Sequence, residues 1–194
     1  MNQLIEVLAL AFSPRKGGNS DLLLDEFLRG AREKGAHVKR LAARELNVRG
    51  CLECGECDET GECVIRDDMD EVYPLLVKTR RIVVASPIFF YGLPSGGKAI
   101  VDRAQALWNR IRLNPEMRRH NGRGFFLGVG ATRGANLFEG SSLTIKYFLD
   151  AIGLPMKLGS LTYRQVEAKA AIREHPTALN EAFEAGKAFV REKL

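Results

Sequence analysis

Short apolar runs alternate with amphipathic stretches along nearly the whole chain, and this alternation limits the possible folds more than any other feature. Leu4, Ile5, Val7, Leu8 and Leu10 make residues 3–11 a nearly continuous apolar run, as in a strand buried on both faces. Residues 12–20, rich in Pro, Gly, Asn and Ser, must turn, and Leu23, Leu24, Phe27, Leu28 and Ala31 then share one helical face. Further strands are predicted at 37–42, 81–86, 124–130 and 156–162. Helices are predicted near 69–78, at 98–111, and at 141–152 with Leu143, Tyr147, Phe148, Ala151 and Ile152 on one side. A last helix turns Leu179, Ala182, Phe183, Gly186 and Phe189 inward. Such alternation packs as a parallel sheet with helices on both faces, because the crossovers are right-handed. Five strands suit the doubly wound order 2-1-3-4-5, with a cysteine-rich loop after strand 2. In this order ligands bind beyond the carboxyl ends of the strands. The loops to inspect are therefore 12–20, 87–97 and 130–134. With 194 residues and no repeat or linker, residues 1–194 read as a single domain.

Composition narrows the partners. The most apolar run, 82–91, is broken by Ser86 and Pro87 and falls short of the roughly 18–20 residues of a membrane span, so no membrane partner is expected. Asn2, Gln3 and Glu6 interrupt the first apolar stretch, which lacks the features of an export signal, so a cytoplasmic location is expected. Lys and Arg number 29 against 24 Asp and Glu, a net charge of +5. The positive charge is scattered except at Arg118, Arg119 and Arg123, which read as a solvated basic loop; no nucleic-acid partner is expected. An acidic island runs the other way, with Glu53, Glu56, Asp58, Glu59, Glu62, Asp67, Asp68, Asp70 and Glu71 against Arg66.

That island contains all four cysteines, Cys51, Cys54, Cys57 and Cys63, in a C-x2-C-x2-C-x5-C run. Disulfides between such close neighbours would be strained, and a reducing compartment disfavours them. Zinc usually takes two separated pairs, whereas triplet spacing supplies three corners of a [4Fe–4S] cluster. Cys63 is then the natural fourth ligand, with Gly55 and Gly61 easing the turns of a cluster loop at 50–66. Zinc and inert thiols are the weaker alternatives.

Ser13-Pro14-Arg15-Lys16-Gly17-Gly18-Asn19-Ser20 places hydroxyls, a cation and glycines at a helix N-terminus, which suits an anion such as a phosphate. Ser20 doubles as a candidate N-cap, and an ordinary capped turn is the plainer alternative. The turn lacks G-x-G-x-x-G, so a monophosphate fits better than a dinucleotide. Residues 92–99, GLPSGGKA, nearly spell a phosphate loop, but Ala99 removes the hydroxyl that would bind Mg²⁺. Pro87, Ile88, Phe89, Phe90, Tyr91 and Gly92 read instead as a wall for a flat aromatic ligand, with core packing expected to claim at least one of the three rings.

Taken together, SPRKGGNS, the cysteine run followed by Asp67-Asp68-Met69, SPIFFYGLPSGGKAIVDR and GVGATRG resemble the iron–sulfur flavoproteins within the NADPH-dependent FMN reductase group of the flavodoxin-like superfamily. The resemblance spans residues 4–163 and rests on four motifs in the right order. It implies FMN held at its phosphate by Ser13, Arg15, Gly18, Asn19 and Ser20, and along the ribityl chain and flavin by Pro87 to Gly92. Thr132, Arg133 and Gly134 would flank the ring, and Cys51, Cys54, Cys57 and Cys63 would hold the cluster. It also implies a homodimer or homotetramer, and either a ferredoxin-like or an NAD(P)H electron donor. One departure is Glu53, where a glycine is common between the first two cysteines. The implied activity is electron transfer between a one-electron carrier and flavin, with no side chain needed as acid or base. The alternatives are an NAD(P)H-dependent FMN or quinone reductase with a structural or vestigial cysteine site, and a non-enzymatic docking protein.

Overall fold

Side chains alternate across a strand, so an apolar run such as that of the first strand must be covered on both sides. The computed structural model describes residues 6–191, and Gln3, Leu4 and Ile5 of the predicted first strand lie outside the described residues. Five strands, β1 (Glu6–Ala11), β2 (His37–Ala42), β3 (Arg81–Pro87), β4 (Arg123–Val129) and β5 (Leu158–Tyr163), form one sheet in the order β2-β1-β3-β4-β5. Every neighbouring pair is parallel. The helices are α1 (Asn19–Glu33), α2 (Cys57–Thr60), α3 (Met69–Lys78), α4 (Ser95–Arg103), α5 (Gln105–Leu113), α6 (Glu139–Ala151) and α7 (Ala178–Arg191). This is the expected flavodoxin-like, doubly wound architecture.

The two faces of the sheet build two cores. Val7, Ala9 and Ala11 join Leu23, Leu24, Phe27 and Leu28 of α1 and Ala182 and Phe189 of α7. Leu8 and Leu10 join Met69, Val72, Ile100, Leu107, Ile145 and Phe148 on the other side. On the first side α1 and α7 cross at two glycines. A Cβ on Gly30 would lie 2.0 Å from the Phe183 carbonyl oxygen, and one on Gly186 would lie 1.9 Å from that of Phe27.

Four expectations need correction. The helix predicted at 98–111 is two helices, α4 and α5, because the chain tightens at Ala104, whose N–H turns back to the Val101 and Asp102 carbonyls. α4 begins at Ser95, so the near-phosphate-loop glycines Gly96 and Gly97 are helical, and Lys98 pairs with Asp102 at 2.5 Å. On α6 the buried stripe is Ser141, Ile145, Phe148 and Leu149, whereas Leu143 and Tyr147 lie on the solvent side. Arg118, Arg119 and Arg123 are not a solvated loop. Arg119 donates to the Leu76 and Thr79 carbonyls at the end of α3 and to the Ile152 carbonyl after α6. Arg118 pairs with Asp150 at 2.6 Å, and Arg123 is buried. Helix C-termini leave carbonyls without partners and favour cations, which explains why basic residues gather there.

Candidate functional site

The carboxyl ends of β1, β3, β4 and β5 open onto one cavity of about 180 Å³. Ser13, Arg15, Gly18, Asn19 and Ser20 line it from the first loop and Pro87, Ile88 and Phe89 from the second. The first loop is shaped by its own hydrogen bonds. Ser13 Oγ donates to the Arg15 carbonyl and accepts the Arg15 N–H, both at 3.1 Å. Gly17 turns at φ +67° and donates its N–H to Asp21 Oδ2 at 3.0 Å. Asp21 is almost wholly buried, and Arg40 and Arg44 each reach it at 3.1 Å. Arg44 also donates to the Ser13 carbonyl, tying the turn after β2 to the loop. The first-turn amides of α1, at Asn19 and Ser20, are those a helix leaves without an internal partner. They suit an anion, with Arg15 exposed beside them.

Ser20 is not the N-cap. The helix begins at Asn19 with Gly18 in the cap position and no side-chain cap. Asn19 bridges far along the chain instead, donating to the Ala168 carbonyl at 2.9 Å and accepting from the Ile172 N–H at 3.1 Å. These bonds draw the segment after β5 against the first loop, so Val166 and Glu167 also line the cavity, with Val129, Gly130 and Ala131 from β4. Sequence reasoning missed the β5 segment.

In the second loop Phe89 and Gly92 exchange backbone hydrogen bonds of 3.0 and 2.9 Å across a tight turn. The turn forces Phe90 and Tyr91 to φ +49° and +62°, a left-handed pair that bulky side chains rarely adopt and that usually falls to Asn or Gly. Backbone strain of this kind gathers at functional sites. No ring of the three enters the core, contrary to expectation, because the turn holds them outward: Phe89 and Tyr91 are about half exposed and Phe90 fully so. Phe90, Tyr91, Gly92, Thr132, Arg133 and Gly134 lie outside the cavity lining. The second and third loops nevertheless touch, since a Cβ on Gly134 would stand 2.2 Å from Tyr91 Oη.

A second cavity, about 620 Å³, is lined by all four cysteines together with Asp102, Arg103, Gln105 and Ala106 from the α4–α5 junction. The two cavities share no lining residue. All four thiols are free. Between Cys51 and Val64 the loop has almost no apolar anchor, with Leu52 73% and Val64 53% exposed, and Ile65 near its end is the large apolar residue that is buried. Polar contacts hold the loop. Arg103, whose side chain is fully buried, donates to the Arg49 carbonyl just before the loop and the Ile65 carbonyl near its end, both at 3.0 Å, and to Asp67 Oδ2 at 2.7 Å. Burial works to raise the Asp67 carboxyl, but the bonds from Arg103 and from the Arg49 and Met69 amides hold it below the usual carboxylate range. Tyr73 Oη donates to the Arg103 carbonyl at 2.9 Å, and its own pKa is pushed upward, chiefly by burial.

α5 braces the loop as well. Arg110 Nε donates to the Gly61 carbonyl at 3.0 Å, and Gly61 must be a glycine twice over: its φ is +68° and a Cβ would sit 2.8 Å from Arg110 Cα. Glu53 lies at φ +53°, the conformation a glycine would adopt freely. The Glu53 N–H donates to Cys51 Sγ at 3.4 Å, and Asn109 Nδ2 donates to Cys57 Sγ at 3.2 Å.

Among the described residues no three His, Cys, Asp or Glu side chains converge as a metal-ion site. Tetrahedral zinc needs all its ligands within about 2.3 Å of one point, whereas a four-iron cluster takes one thiolate per iron around a larger body. The four cysteines line one cavity, with cationic Arg103 in its wall and N–H donors on two sulfurs, a lining whose chemistry suits the larger cluster.

A family model described as NADPH-dependent FMN reductase matches residues 5–153. The chain belongs to this family. A relative called an iron-sulfur flavoprotein, from Methanocaldococcus jannaschii, is 31% identical over 129 residues, covering 66% of this chain and 64% of that protein. Another of that name, from Methanosarcina thermophila, is 33% identical over 103 residues, covering 53% of this chain and 54% of the relative. The chain thus spans about half to two thirds of these relatives' lengths. Among solved structures, an NAD(P)H:quinone oxidoreductase from Methanothermobacter marburgensis is similar across 99% of both chains, with a TM-score of 0.77 and 17% identity. An FMN-dependent NADH-azoreductase from Bacillus anthracis, in complex with FMN, gives 0.67 at 13% identity, over 96% of this chain and all of that one. At such identities the structural likeness speaks for the fold alone.

Proposed function

We propose that this chain is an FMN-dependent oxidoreductase that also carries a [4Fe–4S] cluster, moving electrons between a one-electron carrier and flavin. The observation that carries the reading is the lining of one cavity by Cys51, Cys54, Cys57 and Cys63, in a loop pinned at both ends by buried Arg103. Bound together, flavin and cluster supply exchange between two-electron and one-electron chemistry. The chain's own residues bind and orient. Arg15 and the amides of Asn19 and Ser20 take the phosphate, with Ser13 and Gly18 shaping the turn around it. The cavity of about 180 Å³ suits the phosphate and ribityl end of FMN, with the flavin lying outward along Pro87 to Gly92 and flanked by Thr132, Arg133 and Gly134. The names of the two relatives support the cluster, and residues 1–194 act as one FMN-binding domain with a cluster loop at 50–66.

A homodimer or homotetramer completes the proposal. Fully exposed Phe90 and half-exposed Tyr91 give a second copy apolar surface to cover, and light scattering measures the result. The electron donor is a ferredoxin-like protein or NAD(P)H, and the location is the cytoplasm; no helix among the described residues is long and apolar enough to cross a membrane. The deciding experiment is anaerobic purification followed by iron, sulfide, zinc and FMN analysis. Four irons and four sulfides per chain are expected, with Cys→Ser substitutions losing iron but keeping FMN. Stoichiometric zinc, or FMN with no iron at all, would favour the plain NAD(P)H-dependent FMN or quinone reductase. Absence of both flavin and iron would favour a docking protein.

A further inference from the structure

Asn109 lies on α5 and is 1% exposed, so its amide must find partners inside the protein. Nδ2 donates to Cys57 Sγ at 3.2 Å and to Asp58 Oδ1 at 2.7 Å, while Oδ1 accepts from Arg112 Nε at 3.4 Å. These three bonds fix which way the amide points. Turned over, its oxygen would face a sulfur and a carboxylate, and its NH₂ would face a guanidinium. The donor is thereby aimed at the sulfur. Arg112 Nη2 also donates to the Asp58 carbonyl at 2.5 Å, holding the α2 turn against the same helix. Asn109 is absent from the cavity lining, so it reaches the cavity through Cys57.

We propose that Asn109 is a positioning residue that sets the reduction potential of the [4Fe–4S] cluster through its N–H bond to Cys57 Sγ, an inference that rests on the cluster assignment above. On one-electron reduction, the electron coming from the titrating reductant, the cluster gains one negative charge with no bond made or broken. Part of that charge resides on the cysteine sulfurs, and hydrogen bonds to them are among the protein's means of setting the potential. A donor aimed at a sulfur stabilises the more negative state more and so raises the potential. Losing it should lower the potential, by on the order of fivefold in the reduced-to-oxidised ratio at a fixed applied potential.

The test is a dithionite potentiometric titration of the anaerobically purified, FMN-containing protein, followed by the electron paramagnetic resonance signal of the reduced cluster. Iron and sulfide are measured on every sample. N109L has nearly the same shape and cannot donate; N109A is the second variant should the first load poorly. T60V serves as the control, because the Thr60 Oγ1 hydrogen bonds among the described residues go to backbone within the loop, at Glu56 and Glu62. A fully loaded N109L or N109A titrating at a more negative potential, with T60V at the wild-type value, supports the assignment. An unchanged potential overturns it. So does loss of iron from both Asn109 variants, which would make the residue a retainer of the cluster, not a tuner. Wild-type protein without cluster iron would instead overturn the cluster reading beneath it.

Discussion

Replacing Arg103 by methionine should free the cysteine loop while leaving the flavin pocket in place. The Arg103 and Asp67 side chains are 0% and 3% exposed and 2.7 Å apart, so the substitution strands a buried carboxylate. It also strips the Arg49 and Ile65 carbonyls of their shared donor. Removing one partner of a buried pair typically costs about 3–5 kcal/mol. Against a total stability of about 5–15 kcal/mol the protein still folds, with melting lowered by roughly 6–20 °C for a chain of this size. Calorimetry gives the magnitude, and hydrogen exchange gives the place: amides from Cys51 to Val64 should exchange fastest, and those of the strands last. A double substitution, R103M with D67L, leaves no charge stranded and should recover part of the loss, a coupling that a double-mutant cycle reads directly. R103K keeps the charge but cannot fork between two carbonyls and a carboxylate, so it should fall between wild type and R103M. A cost of R103M below about 1 kcal/mol, or a double variant as unstable as the sum of the singles, would refute the clamp.

Further outcomes follow from the same geometry. The Asp67 pKa is depressed below its ordinary 3.8, so its contribution is complete above that value and is lost as pH falls through the lower folded value; the melting gap between wild type and D67N should hold at neutral pH and close in acid. Arg15→Ala removes a charge-assisted bond worth about 1.5–3 kcal/mol, so FMN should bind about ten- to a hundredfold more weakly while riboflavin, lacking the phosphate, binds unchanged; equal loss for both would move the phosphate elsewhere. Gly186→Ala drives a Cβ into the Phe27 carbonyl, a backbone atom that cannot rotate away, and should cost at least about 1–3 kcal/mol in a denaturant titration without changing FMN content.

The central strands β1, β3 and β4 were legible because they are buried in a parallel sheet and therefore write nearly unbroken apolar runs, whereas the edge strands β2 and β5 are only partly buried and mix polar residues into theirs. The order β2-β1-β3-β4-β5 then follows from right-handed crossovers, and the strand-end loops follow from the order. Legibility fails wherever a polar group is buried, since a pattern reading assigns polar residues to solvent. The Arg118, Arg119 and Arg123 knot was misread for that reason, and Arg103 and Asn109 went unseen. The contribution of Val166 and Glu167 was hidden differently: it depends on Asn19 bonding to residues 149 and 153 positions away, which no local pattern records. From Cys51 to Val64 the loop's large apolar residues, Leu52 and Val64, are exposed and burial begins only at Ile65, so the position of the cysteines depends on hydrogen bonds to neighbouring elements. Those bonds require donors reaching from rigid structure, and the helices following strand 3 supply them as Arg103, Asn109, Arg110 and Arg112. A polar residue placed among apolar ones on such a helix is therefore evidence about the loop opposite it, and its substitution should be felt at the cysteines before it is felt in the sheet.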